Sequence, residues 1–131
     1  METKIRTYFD DIIQQAEDYF EQVEHEIDTT PARAILRLKA THKQYRMFAT
    51  EIKSPDYRKY NYYLLEMDFV VVGFDNAPDA RAIKLKYDKI PQNDVDKLVP
   101  HQHLENKTIL KLTEEIYFSD FIAWLKENLE E

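Results

Sequence analysis

The chain has 131 residues, a net charge of −7 and no cysteine. It is long enough to bury a core unaided, and disulfides, thiolate metal sites and cysteine nucleophiles are excluded. Hydrophobic residues make up 44% and charged residues 33%, with one glycine and five prolines, a balance that excludes disorder and predicts a single domain over residues 1–131.

The N-terminus lacks the basic, apolar, small-residue order of a signal peptide. No apolar run approaches the roughly 18 residues of a membrane span, so no membrane partner is assigned and the expected location is cytoplasmic. Residues 1–31 carry two basic and nine acidic side chains, residues 32–60 eight and two, and residues 61–131 eight and fourteen. The basic middle segment suits either a phosphate ligand or neutralisation of the acidic flanks within the fold or in a second copy.

In chain order, Ile5, Tyr8, Phe9, Ile12, Ile13, Ala16, Tyr19, Phe20, Val23 and Ile27 recur at spacings of three and four. They predict one helix from Thr3 to Ile27, ended before Pro31. Ala34 to Ala40 and Tyr45 to Ile52 alternate around a short polar link and predict an antiparallel hairpin with His42 at its turn. Tyr57 to Leu65, rich in aromatics, and Phe69 to Phe74, the most β-prone run, predict two further strands, the second central. Gly73 marks either a bulge, a close backbone approach or a small residue that packing tolerates.

Arg81 to Tyr87 alternates with lysines and predicts a short or edge strand. Val95 to Val99 predicts a brief helical turn and Ile109 to Leu112 a last strand. A C-terminal helix is expected from near Ser119 with Asp120 in its first turn, or alternatively from near Thr113. The resulting fold is α+β: an antiparallel sheet of five or six strands with the N- and C-terminal helices packed on it.

Arg46, Arg58 and Lys59 interleave with Tyr45, Phe48, Tyr57, Tyr60, Tyr62 and Tyr63. Such a pattern serves RNA, with aromatic faces stacking bases and cations holding phosphates, or it places the aromatics in the core of a sheet. Two proline-marked corners carry the chemistry: Asp75-Asn76-Ala77-Pro78 and Pro100-His101-Gln102-His103. On a strand, His101 and His103 point both rings to one face, where they can share a metal or an anion, move a proton during phosphodiester cleavage, or bond a loop in place. Asp75, Asp79 and Glu105 are the acidic neighbours that could join them. Asp75 to Pro78 equally suits a defined turn at a strand end.

A hairpin near the N-terminus, a strand ending in Asp-Asn-x-Pro and a later Pro-His-x-His together resemble the TumE family over roughly residues 30–130. These small proteins are regarded as toxin components of bacterial and archaeal type II toxin–antitoxin pairs. Asp79, Ala80 and Gln102 stand where the family pattern has histidines, and the matching positions are Asp75, Asn76, Pro78, Pro100, His101 and His103. The resemblance implies a toxin partnered by a small antitoxin, and class-level analogy makes RNA its target.

The resulting assignment makes His101, His103 and Asp75 catalytic and Arg46, Arg58, Lys59 and Asn76 binding residues, with residues 33–59 as a basic approach. No cofactor and no metal is assigned. The alternative is a non-catalytic interaction domain, a homodimer or an antitoxin-binding module. A third reading is a metal-dependent site built from His101, His103 and an acidic neighbour.

Overall fold

The structure, a computed structural model, describes residues 2–87 and 97–129. The apolar stripe at the N-terminus forms helix α1 (Thr3–Tyr19), which buries Phe9, Ile12, Ile13 and Ala16. Each large side chain removed from water there contributes about 1.5–3 kcal/mol. The helix stops eight residues earlier than its spacing predicts. Phe20 turns extended while its N–H still reaches the Ala16 carbonyl, Gln22 takes a left-handed φ of 52°, and the chain continues as strand β1 (Glu21–Thr29). Val23 and Ile27 misled the expectation because a spacing of four is even: it fits one face of a strand as well as one face of a helix.

Strands β2 (Ala34–His42), β3 (Tyr45–Lys53), β4 (Arg58–Glu66) and β5 (Phe69–Asp75) follow as antiparallel neighbours, then β6 (His101–Leu104) and β7 (Ile109–Leu112). The sheet has seven strands in the order β1 to β7, a simple meander. The fold is therefore α+β and antiparallel, with more than the five or six strands expected. Strand β1 at one edge and the short β6 are the additions, and the run expected as a strand near residue 81 is lost from the sheet.

The run from Arg81 to Tyr87, expected as a strand, is helix α2 (Ala80–Tyr87). Its start is set by Asp79, whose Oδ1 accepts the N–H groups of Arg81 at 2.9 Å and Ala82 at 3.2 Å. This is an N-cap that the alternation of Ile83, Leu85 and Tyr87 concealed. Ala82 and Ile83 are buried, whereas Leu85 points out. Of the expected helical turn over Val95 to Val99, residues 97–99 run without helical structure, and residues 95 and 96 lie outside the described residues. Helix α3 (Phe118–Leu129) begins one residue before Ser119. Asp120 reaches back to accept the Tyr117 N–H at 2.8 Å, so its charge satisfies an otherwise unpaired helix-start donor.

The two faces of the sheet are covered differently. Alternate residues Leu36, Leu38, Met47, Ala49, Tyr60, Tyr62, Leu64, Val72 and Phe74 meet α1 and α3 in the main core. On the opposite face α2 packs over the far end of the sheet, where Ala82, Ile83 and Val99 make a separate small cluster with Tyr87 and Leu110.

One charged pair lies inside the main core. Arg58 bonds Glu51 in a bidentate pair along one guanidinium edge, Nε to Oε1 and Nη2 to Oε2, each at 3.0 Å. It also donates to the hydroxyls of Tyr8 at 3.0 Å and Tyr62 at 2.7 Å. Both hydroxyls donate in turn to Glu51. Burial opposes the arginine's charge, but the bonds to Glu51 and the nearby phenols outweigh it and hold the guanidinium above its ordinary range. Burial and then the Glu51 carboxylate push the Tyr8 and Tyr62 phenols up, so both stay neutral donors. The network ties α1 to the middle of the sheet.

Removing one partner of such a pair leaves the other buried and uncompensated, so Arg58→Met is expected to cost about 3–5 kcal/mol in urea denaturation. The double variant Glu51→Leu, Arg58→Met recovers most of that loss. Equal losses in the single and double variants would show that the pair is not its source.

Candidate functional site

The register of β4, β5 and β6 assembles the site on the face that α2 covers. Tyr63 lies opposite Gly73, Gly73 opposite His103, and Asp75 opposite His101. Period-two alternation then puts Tyr63, Asp75, His101 and His103 on one side. What requires a glycine at position 73 is neither a bulge nor a neighbouring backbone but a side chain: a methyl group there would lie 2.9 Å from Tyr63 Cζ and closer still to two other ring carbons. The ring therefore lies flat across the glycine, stacks near His103 with centroids 6.2 Å apart, and donates its hydroxyl to Asp75 Oδ2 at 2.8 Å. Burial, then the Asp75 charge, keeps the Tyr63 phenol protonated far above its usual range.

Asp75 Oδ1 accepts the Ala77 N–H at 2.7 Å and so closes the strand-ending turn expected of it. The same oxygen lies 3.8 Å from His101 Nε2, and Asp79 Oδ2 lies 3.9 Å from that nitrogen. His101 Nδ1 is 2.6 Å from the Val99 carbonyl oxygen, a partner that only a ring N–H can satisfy. Its Nε2 meets His103 Nε2 at 3.1 Å. One ligand atom from each of Asp75, His101 and His103 lies within 4.8 Å of the others.

His101 and His103 are only 1% and 3% exposed. Burial, reinforced by the neighbouring His101, holds the His103 imidazole below its ordinary value, against the opposing pull of Asp75. The backbone N–H groups of Ala82 and Arg81 outweigh burial at Asp79 and keep its carboxyl low.

The remaining candidates lie elsewhere. Asn76 is buried, and its amide is spent on the sheet: Oδ1 accepts the Tyr60 N–H and Nδ2 donates to the Arg58 carbonyl, both at 2.9 Å. Arg58 belongs to the core pair on the other face. Arg46 and Lys59 share the site's face of the sheet but sit at opposite ends of the β3–β4 hairpin, opposite Leu65 and Ile52. Arg46 donates to the Met67 carbonyl at 2.9 Å, and Lys59 lies over the Tyr57 ring. The three cations thus form no single surface.

Elsewhere, Arg37 and Lys39 pair with Asp28 and Glu24 of β1, so part of the basic segment neutralises the acidic flank. Glu105 sits exposed in the β6–β7 turn with a left-handed φ of 47°, outside the cluster. Tyr63 and the Val99 carbonyl are the site members that sequence reasoning missed. The cross-strand match of a tyrosine to the single glycine was the available signal for the first. Comparison with family models, with curated proteins and with solved structures gives no match in any of the three, so the TumE resemblance rests on the residues quoted for it.

Gly73→Ala forces the Tyr63 ring aside and is expected to cost about 1–3 kcal/mol in urea denaturation, as overpacking does. In a Tyr63→Leu background the penalty shrinks, and an unchanged penalty there would disprove the contact as its cause.

The His103 shift also sets a pH dependence. With a folded value below 6.5, the folded state binds fewer protons than the unfolded chain around pH 6. The stabilisation is complete above that pH and is lost as pH falls toward the folded value. Thermal midpoints measured with a chelator present are expected to drop between about pH 7.5 and about pH 5.5, with a shallower drop in His103→Gln. A slope unchanged by that substitution would place the effect on other groups.

Proposed function

We propose that the protein is a TumE-like toxin component that acts on RNA, with the Asp75–His101–His103 cluster as its chemical centre and a small antitoxin as its partner in the cytoplasm. What carries the reading is the convergence of Asp75, His101 and His103, three positions that match the family motifs, within 4.8 Å. In-line displacement at phosphorus sets the attacking and leaving oxygens on opposite sides. Two nitrogens 3.1 Å apart therefore act as one unit, accepting a proton at one oxygen, rather than as a separate base and acid. His103, held neutral by burial, is the acceptor. Tyr63 and Val99 hold Asp75 and His101 in place. Helix α2 packs beside the site through a small cluster apart from the main core. Among the described residues no helix is long and apolar enough to cross a membrane.

A second reading, a non-catalytic interaction domain, is favoured by the burial of both histidines and by the edge strand β7, which leaves Ile109 and Leu112 exposed. An unpaired apolar edge suits a second copy or an antitoxin strand. The two readings separate in one assay. Purified protein is expected to cleave RNA, and His101→Ala, His103→Ala is expected to reduce the rate by about 100-fold or more, the range of general acid–base contributions. Cleavage unchanged by the double substitution removes the assignment. A stable complex with no turnover on any RNA selects the interaction domain.

A further inference from the structure

We propose that Asp75, His101 and His103 bind one divalent first-row transition ion, with zinc the best match to their donors. The proposal concerns the same three side chains but does not depend on the RNA chemistry, and an ion held by both rings would take the place of His103 as proton acceptor.

The argument begins with His101. Its Nδ1–H is committed to the Val99 carbonyl at 2.6 Å, and this fixes the tautomer in which Nε2 of a neutral ring offers a lone pair. A backbone carbonyl that orients the far nitrogen in this way is the usual support of a metal-binding histidine. Around that Nε2 stand a second imidazole nitrogen at 3.1 Å, the Asp75 carboxylate at 3.8 Å and the Asp79 carboxylate at 3.9 Å.

Every one of these groups can act as an acceptor, and both carboxylate distances are too long for hydrogen bonds. Only one ring N–H, that of His103, is placed among these acceptors, and Asp75 Oδ1 has the Ala77 N–H besides; the excess of acceptors around His101 Nε2 favours a cation. Four-coordinate zinc at about 2.0–2.1 Å from nitrogen or oxygen sets its ligands roughly 3.3 Å apart, close to the spacing of the two rings.

Two imidazoles and a carboxylate are also a donor set that zinc uses in sites that keep a further position for water or substrate. Asp79 stands beside that position, its Oδ1 occupied by the α2 N-terminus and its Oδ2 facing His101. The His-x-His spacing on a strand supplies the two rings at no conformational cost, since both already face the same way. Tyr63 fixes the Asp75 carboxylate through Oδ2 and leaves Oδ1 turned toward His101. Such outer contacts pre-orient ligands and typically strengthen binding by about 10–100-fold.

The test is titration of chelator-stripped protein with Zn²⁺ alone, followed by calorimetry and by histidine side-chain ¹⁵N resonances. One ion per chain is expected, with the ring signals of His101 and His103 moving together while those of His25 and His42 stay fixed. Asp75→Asn, which keeps the shape of the side chain, is expected to weaken binding by about 100-fold or more. Near-UV circular dichroism shows whether that variant keeps its packing, and His101→Gln provides a second variant with the same expected loss.

No binding up to millimolar Zn²⁺, or shifts confined to His25 or His42, would overturn the proposal and leave a direct hydrogen bond between the two rings. Zinc binding without RNA cleavage would leave this proposal standing and remove the toxin chemistry. RNA cleavage that persists in chelator, with no zinc uptake, would do the reverse.

Discussion

The contact on which the site depends is the tyrosine ring laid across a glycine. Tyr63 covers Gly73 between two neighbouring strands, a pairing that fills the space a missing side chain leaves and penalises any slip in register. A one-residue slip of β5 against β4 would turn Asp75, and with it the histidines paired to β5, to the face opposite Tyr63, and Asp75 would lose the hydroxyl that holds it. The irregularity between Leu64 and Leu65 uses one additional residue of β5, so the pairing beyond it must be set by a specific contact. The glycine does so by being unable to accept a side chain.

The opposite face is organised by charge inside an apolar layer. Arg58 and Glu51 satisfy each other in two bonds, and two tyrosine hydroxyls complete them. This arrangement explains why the most basic segment of the chain makes no continuous basic surface. Its strongest cation is in the core, two others pair with acidic β1, and those remaining are spread over the sheet. The cations of the segment therefore give no single field that would steer a polyanion.

Much of this architecture was legible in the residues. The alternation of Leu36, Arg37, Leu38 and Lys39 and the extended run from Tyr45 to Ile52, joined by a short polar link, identified a hairpin, and the apolar run at Phe69 identified an interior strand. The failures share a cause. Val23 and Ile27, four apart, satisfy both helical and extended periods. Ile83, Leu85 and Tyr87 alternate although Asp79 caps a helix there, so the local capping bond outweighed a short periodic pattern. The convergence of Asp75 with His101 depends on which strands pair, which is a non-local property. It is the β5–β6 pairing that brings the two corners together. The diversion of Asn76 into backbone bonds and of Arg58 into the core had no sequence signal, because residue type alone does not say which face a polar group will occupy.

The strand order carries a consequence for synthesis. Because the meander runs from β1 to β7 without a crossover, each strand finds its partner in the segment made just before it, and contacts of this kind form with little loop-closure cost. The sheet can thus grow in the direction the ribosome delivers it, starting from the hairpin that receives α1. The histidines arrive on the sixth strand, after most of the sheet, and the main core is closed only when Phe118 and Phe121 of α3 dock. A nascent chain therefore holds no complete Asp–His–His cluster until the sixth strand has been made and has paired with β5.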